Sequence, residues 1–137
     1  MSDQASLQIL SDLLNRIRYS LLQYVGETWP WAGSAEQARI EVFAGLVRRQ
    51  QFSVERLASL LLDRRAVVSS SNYPHDCSEL HFVTLDYAKT RLVDNANSIV
   101  TALKNAASEL FDDPEALRLV EQLTSDEEQT LVALKTL

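Results

Sequence analysis

Apolar residues recur early in the chain at Leu7, Leu10, Leu14, Ile17, Leu21 and Tyr24, in alternating steps of three and four. That spacing holds them on one seam of an α-helix. Such a seam is buried by a neighbouring helix packed nearly parallel to it. The same signature returns three times. One stripe runs Ile40, Phe43, Val47, Gln50, Val54, Leu57 and Leu61. Another runs Leu85, Ala88, Leu92, Ala96, Ile99, Leu103, Ala106 and Leu110. The last runs Leu117, Val120, Leu123, Glu127, Thr130 or Leu131, Leu134 and Leu137. Helix is also favoured by composition, since Gly and Pro number only three each and the rest is rich in Leu, Ala, Arg and Gln.

Stop and start signals divide these stripes. Gly26 closes the first segment, and the turn "ETWPWAG" follows with Pro30 and Gly33. Ser34 with Gln37, and Asp76 with Glu79, have capping-box spacing. Asp113 caps the last segment, with Pro114 at its first helical position and Glu115 beside it. The expected helices cover roughly residues 5–25, 35–65, 78–111 and 114–136 of a single domain spanning 1–137. Together they predict an all-α four-helix bundle. The first and last connections are short, so each joins an antiparallel hairpin. The middle connection, from Ala66 to Cys77, reaches ~40 Å when extended, against ~45 Å for a helix of about 30 residues. It is long enough for an up-down-down-up order, while an up-down-up-down order with a slack loop is the alternative.

The net charge is −6, which argues against nucleic-acid binding, because phosphate counterions must be replaced by a basic face. Charge is uneven. Residues 35–65 hold Arg39, Arg48, Arg49, Arg56, Arg64 and Arg65 against Glu36, Glu41, Glu55 and Asp63, whereas residues 112–137 hold seven acids against Arg118 and Lys135. Mutual complementation of two adjacent helices is the simplest reading. Cys77 is the one cysteine, so no internal disulfide forms and a reducing compartment fits. The N-terminus lacks the basic and apolar regions of a signal peptide, and no apolar run reaches membrane-spanning length. A cytoplasmic protein without a membrane segment is expected.

Glu127 is the polar residue that matters most. It keeps phase with Val120, Leu123, Leu131 and Leu134, so on a continuous helix it faces the core. A buried carboxylate needs a hydrogen bond, a counter-charge, a proton or a metal. Asp126 and Glu128 should point away. In the alternative, Ser125 and Glu128 cap a new helix start, and all three acids lie in a solvated first turn. The unbroken phase favours a continuous helix. Arg18, Gln50 and Tyr87 lie on or beside the inward faces and are candidate partners for Glu127.

These features resemble the ferritin-like superfamily: the two hairpins, the long middle connection, the acid inside the fourth stripe, and the phrases "LLNRIRYSLLQYV", "VRRQQFSVERLASLLL" and "LFDDPEALRLVEQLTSDEEQTLVAL". The likeness spans nearly the whole chain and implies two antiparallel hairpins joined by a longer crossover. Di-iron members place a Glu on helices one and three and a Glu-x-x-His on helices two and four. On this chain the positions fall at Ile17, at Gln50 with Ser53 (or Gln51 with Val54), at apolar residues between Ala88 and Leu92, and at Glu127 with Thr130. One carboxylate remains. The two histidines, His75 and His81, follow Asn72 and Ser78 by three residues, so neither completes an acid-x-x-His pair. Two irons need several charged oxygens and usually imidazoles. The resemblance therefore implies the fold without its metal site. No cofactor and no catalytic residue is expected, and Glu127 is the one weak metal candidate.

Two other clusters merit a reading. "HDCSELH" gathers His75, Asp76, Cys77, Glu79 and His81, which zinc could use, but its spacing matches no common zinc pattern and the cap already explains Asp76 and Glu79. Trp29 and Trp31 in "TWPW" either plug one end of the core or form an exposed anchor, with Tyr73 near them or in another patch. Three functions follow as expectations. The first is a non-catalytic scaffold or interaction protein, a homodimer by analogy with the family. The second is a metal-binding or oxidoreductase protein with an atypical site around Glu127. The third is a bundle binding a small apolar ligand between Ile17, Val54, Leu92 and Leu123.

Overall fold

The computed structural model describes residues 2–28, 37–67 and 85–137. All the regular structure among them is helical: α1 (Ser2–Arg18), α2 (Leu21–Thr28), α3 (Gln37–Asp63), α4 (Leu85–Glu109) and α5 (Pro114–Thr136). α1 and α2 share one position of a four-helix all-α bundle. The Ser34 and Asp76 caps, both tryptophans, Tyr73 and the "HDCSELH" cluster lie outside the described residues, as do residues 78–84 of the third expected helix.

The stripes of α3, α4 and α5 are largely buried as their phase requires, with Ile40, Val54, Leu117 and Leu137 half-buried. Phe43, Val47, Leu57 and Leu61 of α3, Ala88 through Ala106 at helical spacing in α4, and Val120, Leu123 and Leu134 of α5 are all in the core. α5 runs unbroken through residue 125, and Thr124 turns its hydroxyl back onto the Val120 carbonyl at 2.7 Å. The expected cap holds: Asp113 accepts the Ala116 N–H at 3.2 Å, with Pro114 behind it. At the far end of α3 the Ala66 N–H reaches back to Leu61 O and the Arg65 N–H to Leu62 O, a Schellman closure with Arg65 at φ 56°.

The first expected helix is corrected. It is not continuous over 5–25, and Gly26 does not end it. The chain breaks at Tyr19–Ser20 and restarts as α2. Ser20 caps the new start, its Oγ accepting the Gln23 N–H at 3.4 Å. The Leu21 N–H, which has no partner inside α2, is taken by Asn95 Oδ1 of α4 at 3.1 Å. The break also shifts the phase. Leu21 and Tyr24, expected on the seam, are only partly buried, while Leu22 and Val25 replace them in the core. Gly26 sits within α2 because α2 crosses α3 closely there. A Cβ on Gly26 would stand 2.9 Å from Val47 Cγ2 and 3.1 Å from Cγ1. Valine is stiff at χ1 and cannot turn both methyls away. Gly26→Ala is expected to cost roughly 1–3 kcal/mol by overpacking, measured as a lower midpoint in urea unfolding with an unchanged slope.

The core falls into two clusters. One joins Leu10–Ile17 of α1, Leu57–Leu61 of α3, Ile99–Ala106 of α4 with Leu110 beyond it, and Ala116–Leu123 of α5. The other joins Leu22 and Val25 of α2, Phe43–Val47 of α3, Ala88–Ala96 of α4 and Leu131–Leu134 of α5. The late half of α3 thus lies level with the late half of α4, so these two helices run the same way. α1 with α2, and α5, run opposite to them. Arg64 bonding to Asp113, Arg56 to Asp126 and Gln50 to Glu127 repeat the antiparallel order of α3 and α5.

Candidate functional site: a polar layer between two cores

Between the two clusters lies a layer of buried polar side chains from α2, α3 and α5. Ser20, Gln23, Gln50, Ser53, Glu127 and Thr130 are each at most 6% exposed. The three consecutive acids of α5 go to three separate places. Asp126 pairs with Arg56 of α3 at 3.1 Å. Glu128 pairs with Lys104 of α4 at 3.3 Å. Glu127 points inward between those helices, where Gln50 Nε2 donates to its Oε2 at 2.8 Å.

From Gln50 the bonds continue to α2. Gln50 Oε1 accepts from Ser20 Oγ and from Gln23 Nε2, both at 3.0 Å. Gln23 Nε2 also donates to Val47 O at 3.0 Å. The direction of this chain of bonds is fixed at its far end by two backbone groups. Val47 O can only accept, so the Gln23 amide turns its NH₂ toward α3. The Gln23 N–H can only donate, so Ser20 Oγ accepts there and has its proton free for Gln50. Gln50 must then offer its oxygen to α2 and its nitrogen to α5. Position 127 is required to accept.

Burial pushes the Glu127 carboxyl up to about 7, with Asp126 adding repulsion, while the Gln50 hydrogen bond and the Arg49 charge oppose that rise. The folded protein therefore keeps this carboxyl protonated well above the ordinary carboxylate range. Either form satisfies Gln50, because the neutral acid keeps a carbonyl oxygen. Glu127→Gln should change stability little at pH 4, where Glu127 keeps its proton in the folded protein, and should raise it relative to wild type as pH approaches neutrality. At the same acid pH, Glu127→Leu should cost about 1–3 kcal/mol by leaving the Gln50 Nε2 unsatisfied in a buried site. Thermal unfolding of the two variants at pH 4 distinguishes them, and a Leu variant more stable than wild type at that pH would contradict the account.

Of the expected Glu127 partners, Gln50 is found. Arg18 is not, since it is exposed at the end of α1, where the break turns the chain. The Tyr87 side chain lies outside the described residues. Ser20 and Gln23 were not anticipated, although "YSLLQ" carries a capping-box spacing at 20 and 23 that marks the break. Of the positions that the resemblance assigns to lost ligands, Ile17 is 1% exposed, Gln50 2%, Ser53 4% and Thr130 1%. Ile17 belongs to the first apolar cluster, and Ser53 Oγ lies 3.4 Å from the Arg49 carbonyl.

The donors present do not suit a resident metal. One carboxylate, two primary amides and hydroxyls supply a single negative charge, and the amides already use one another. Among the described residues no three His, Cys, Asp or Glu side chains converge. The apolar pocket expected between Ile17, Val54, Leu92 and Leu123 is not assembled as such. Ile17, Val54 and Leu123 belong to one cluster and Leu92 to the other, with the polar layer between. A cleft of about 230 Å³ opens elsewhere, between α1 and α4, over Ile9, Leu13 and Ala106 with Asp12, Arg16 and Glu109 at its edges.

The basic and acidic helices complement each other, as their charges suggest. Arg49 bonds Gln129, and Arg56 bonds Gln122 as well as Asp126. Arg64 forks onto Asp113 at 2.6 and 2.9 Å and reaches Glu115 at 3.1 Å. No helix among the described residues is long and apolar enough to cross a membrane. Comparison of the chain with protein-family models, with curated proteins and with solved structures gives no match.

Proposed function

We propose that this chain is a ferritin-like bundle that has lost its di-iron centre and acts as a non-catalytic scaffold or interaction protein, self-associating as a homodimer in the cytoplasm. The observation that carries the reading is the polar layer. It includes Gln50, Ser53, Glu127 and Thr130, the positions that the resemblance assigns to metal ligands, yet Ser20 and Gln23 bond to Gln50, and Gln50 to the single carboxylate of Glu127. The shared direction of α3 and α4 supports the crossover topology, since α4 then begins at the end opposite to where α3 stops. An interior closed on itself leaves the surface as the place for function.

Metal analysis of tag-free protein purified without chelators, followed by Fe(II), Mn(II) and Zn(II) titration, tests the first half. Near-zero metal and no binding are expected. Stoichiometric metal that disappears in Glu127→Ala would instead favour the atypical metal site. Light scattering over rising concentration tests the second half, with twice the monomer mass expected and a persistent monomer counting against it.

A further inference from the structure

We propose that Glu127 is a proton-operated latch for α2: the protonated side chain holds α2 in the bundle, and its ionisation draws water into the polar layer and releases α2. Four observations carry this. α2 has eight residues, too few for a helix to persist without tertiary support. Its start depends on Ser20, whose hydroxyl caps it and also donates to Gln50. Its Gln23 amide is held by Val47 O and the same Gln50 oxygen. Gln50 in turn ends on Glu127, a carboxyl 3% exposed between two apolar clusters.

Ionising that carboxyl places a charge where one amide N–H is the donor shown, and such a charge recruits water when it can. The break at Tyr19–Ser20 offers the way in, since α2 can leave there without unwinding α1. The surrounding charges do not settle the carboxyl alone. Arg49 of α3 attracts the charged form, and Asp126 of α5 repels it. Lys104 of α4 is engaged with Glu128, and the Arg56 guanidinium with Asp126. The buried α4 residues of the adjoining core, Leu92 and Ala96, are apolar. α2 presents Ser20 and Gln23.

The sign follows from the raised carboxyl. The released state, with Glu127 in water, ionises in the ordinary range, while the docked state holds its proton until about 7. Docking is therefore strongest below that ordinary range and weakens as pH rises toward neutrality. In this window the opening equilibrium grows by up to about tenfold per pH unit, then levels off.

Amide hydrogen exchange on the full chain at pH 5, 6, 7 and 8 reads this directly, as protection factors corrected for intrinsic rate. Protection at Tyr24 and Val25 should fall about tenfold per unit from pH 5 to 7 and flatten above. It should also stay below that of Leu57 and Leu103, which report the apolar core. In Glu127→Gln the slope should vanish. A slope retained in that variant overturns the proposal, as does α2 protection that is flat in wild type or equal to that of the core. Should Glu127→Gln fail to fold, the ¹³C carboxyl titration of Glu127 in wild type decides. A midpoint in the ordinary carboxylate range refutes the latch, and one near neutrality that coincides with the loss of α2 protection supports it.

Discussion

Asp113→Ala is expected to lower stability by about 3 kcal/mol, the loss of a helix cap plus a two-pronged charged pair. Asp113 sits where three helices meet. It caps α5 through Ala116, receives the Arg64 guanidinium through both oxygens, and takes a hydrogen bond from the buried Ser6 of α1. The pair is not a surface ornament, since the side chains are 21% and 12% exposed. Removing the carboxylate leaves a half-buried guanidinium with, among the described residues, the exposed Glu115. The hydrogen bond and charge of Arg64 hold the Asp113 carboxyl down at about 2, against a reference of 3.8, and Asp113 holds the Arg64 proton more firmly in return. A depressed carboxyl stabilises the fold above its unfolded range and stops doing so as pH falls through its folded value. Wild type should thus lose about 2 kcal/mol between pH 4 and pH 2 that Asp113→Ala no longer has to lose. Urea unfolding at pH 7 and pH 3 measures both effects, and a variant within 1 kcal/mol of wild type at pH 7 would show that the junction is held by packing alone.

Glu127 gives the opposite slope. Its carboxyl is raised from 4.5 to about 7 by burial. Below the unfolded value both states are protonated and the group is neutral in its effect. As pH climbs, the unfolded chain gives up its proton first, so the folded state loses on the order of 3 kcal/mol by neutrality and no more beyond it. Glu127→Gln removes this slope because the amide does not titrate. The comparison therefore has a clear form. Wild type and Glu127→Gln should differ in stability by an amount that changes between pH 4.5 and 7 and is constant outside that window. A constant difference throughout would place an ordinary, ionised carboxylate at position 127. With Asp113 acting below pH 4, the two groups together put the most stable region on the acid side of neutrality.

The latch and the polar layer share one design. Two apolar clusters could in principle slide against each other along the helix axes, since Leu, Val and Ala tolerate many registers. A chain of directed hydrogen bonds does not. With Val47 O and the Gln23 N–H fixing its sense, only one registry of α2, α3 and α5 satisfies every donor. The cost is a carboxyl whose charge is poorly accommodated, and that cost is what makes the layer responsive to protons.

The helical class, the inward faces of α3, α4 and α5, the Asp113 cap and the burial of Glu127 were all legible in the sequence. Each depends on local spacing: 3.6 residues per turn places Glu127 with Val120 and Leu134, and an Asp-Pro-Glu start leaves little other choice. The break at Ser20 was legible only weakly, because the heptad seam runs straight through it while the Ser20–Gln23 spacing argues against it. What decided was tertiary. Asn95 of α4 supplies an acceptor for the Leu21 N–H, and Gln50 of α3 supplies one for the Ser20 hydroxyl, so the cost of ending one helix and starting another is met by partners 74 and 30 residues away. The burial of Leu22 and Val25 in place of Leu21 and Tyr24, the close approach at Gly26 and the proton affinity of Glu127 all follow from that meeting. None is a property of a segment alone, because each requires the position of a second helix.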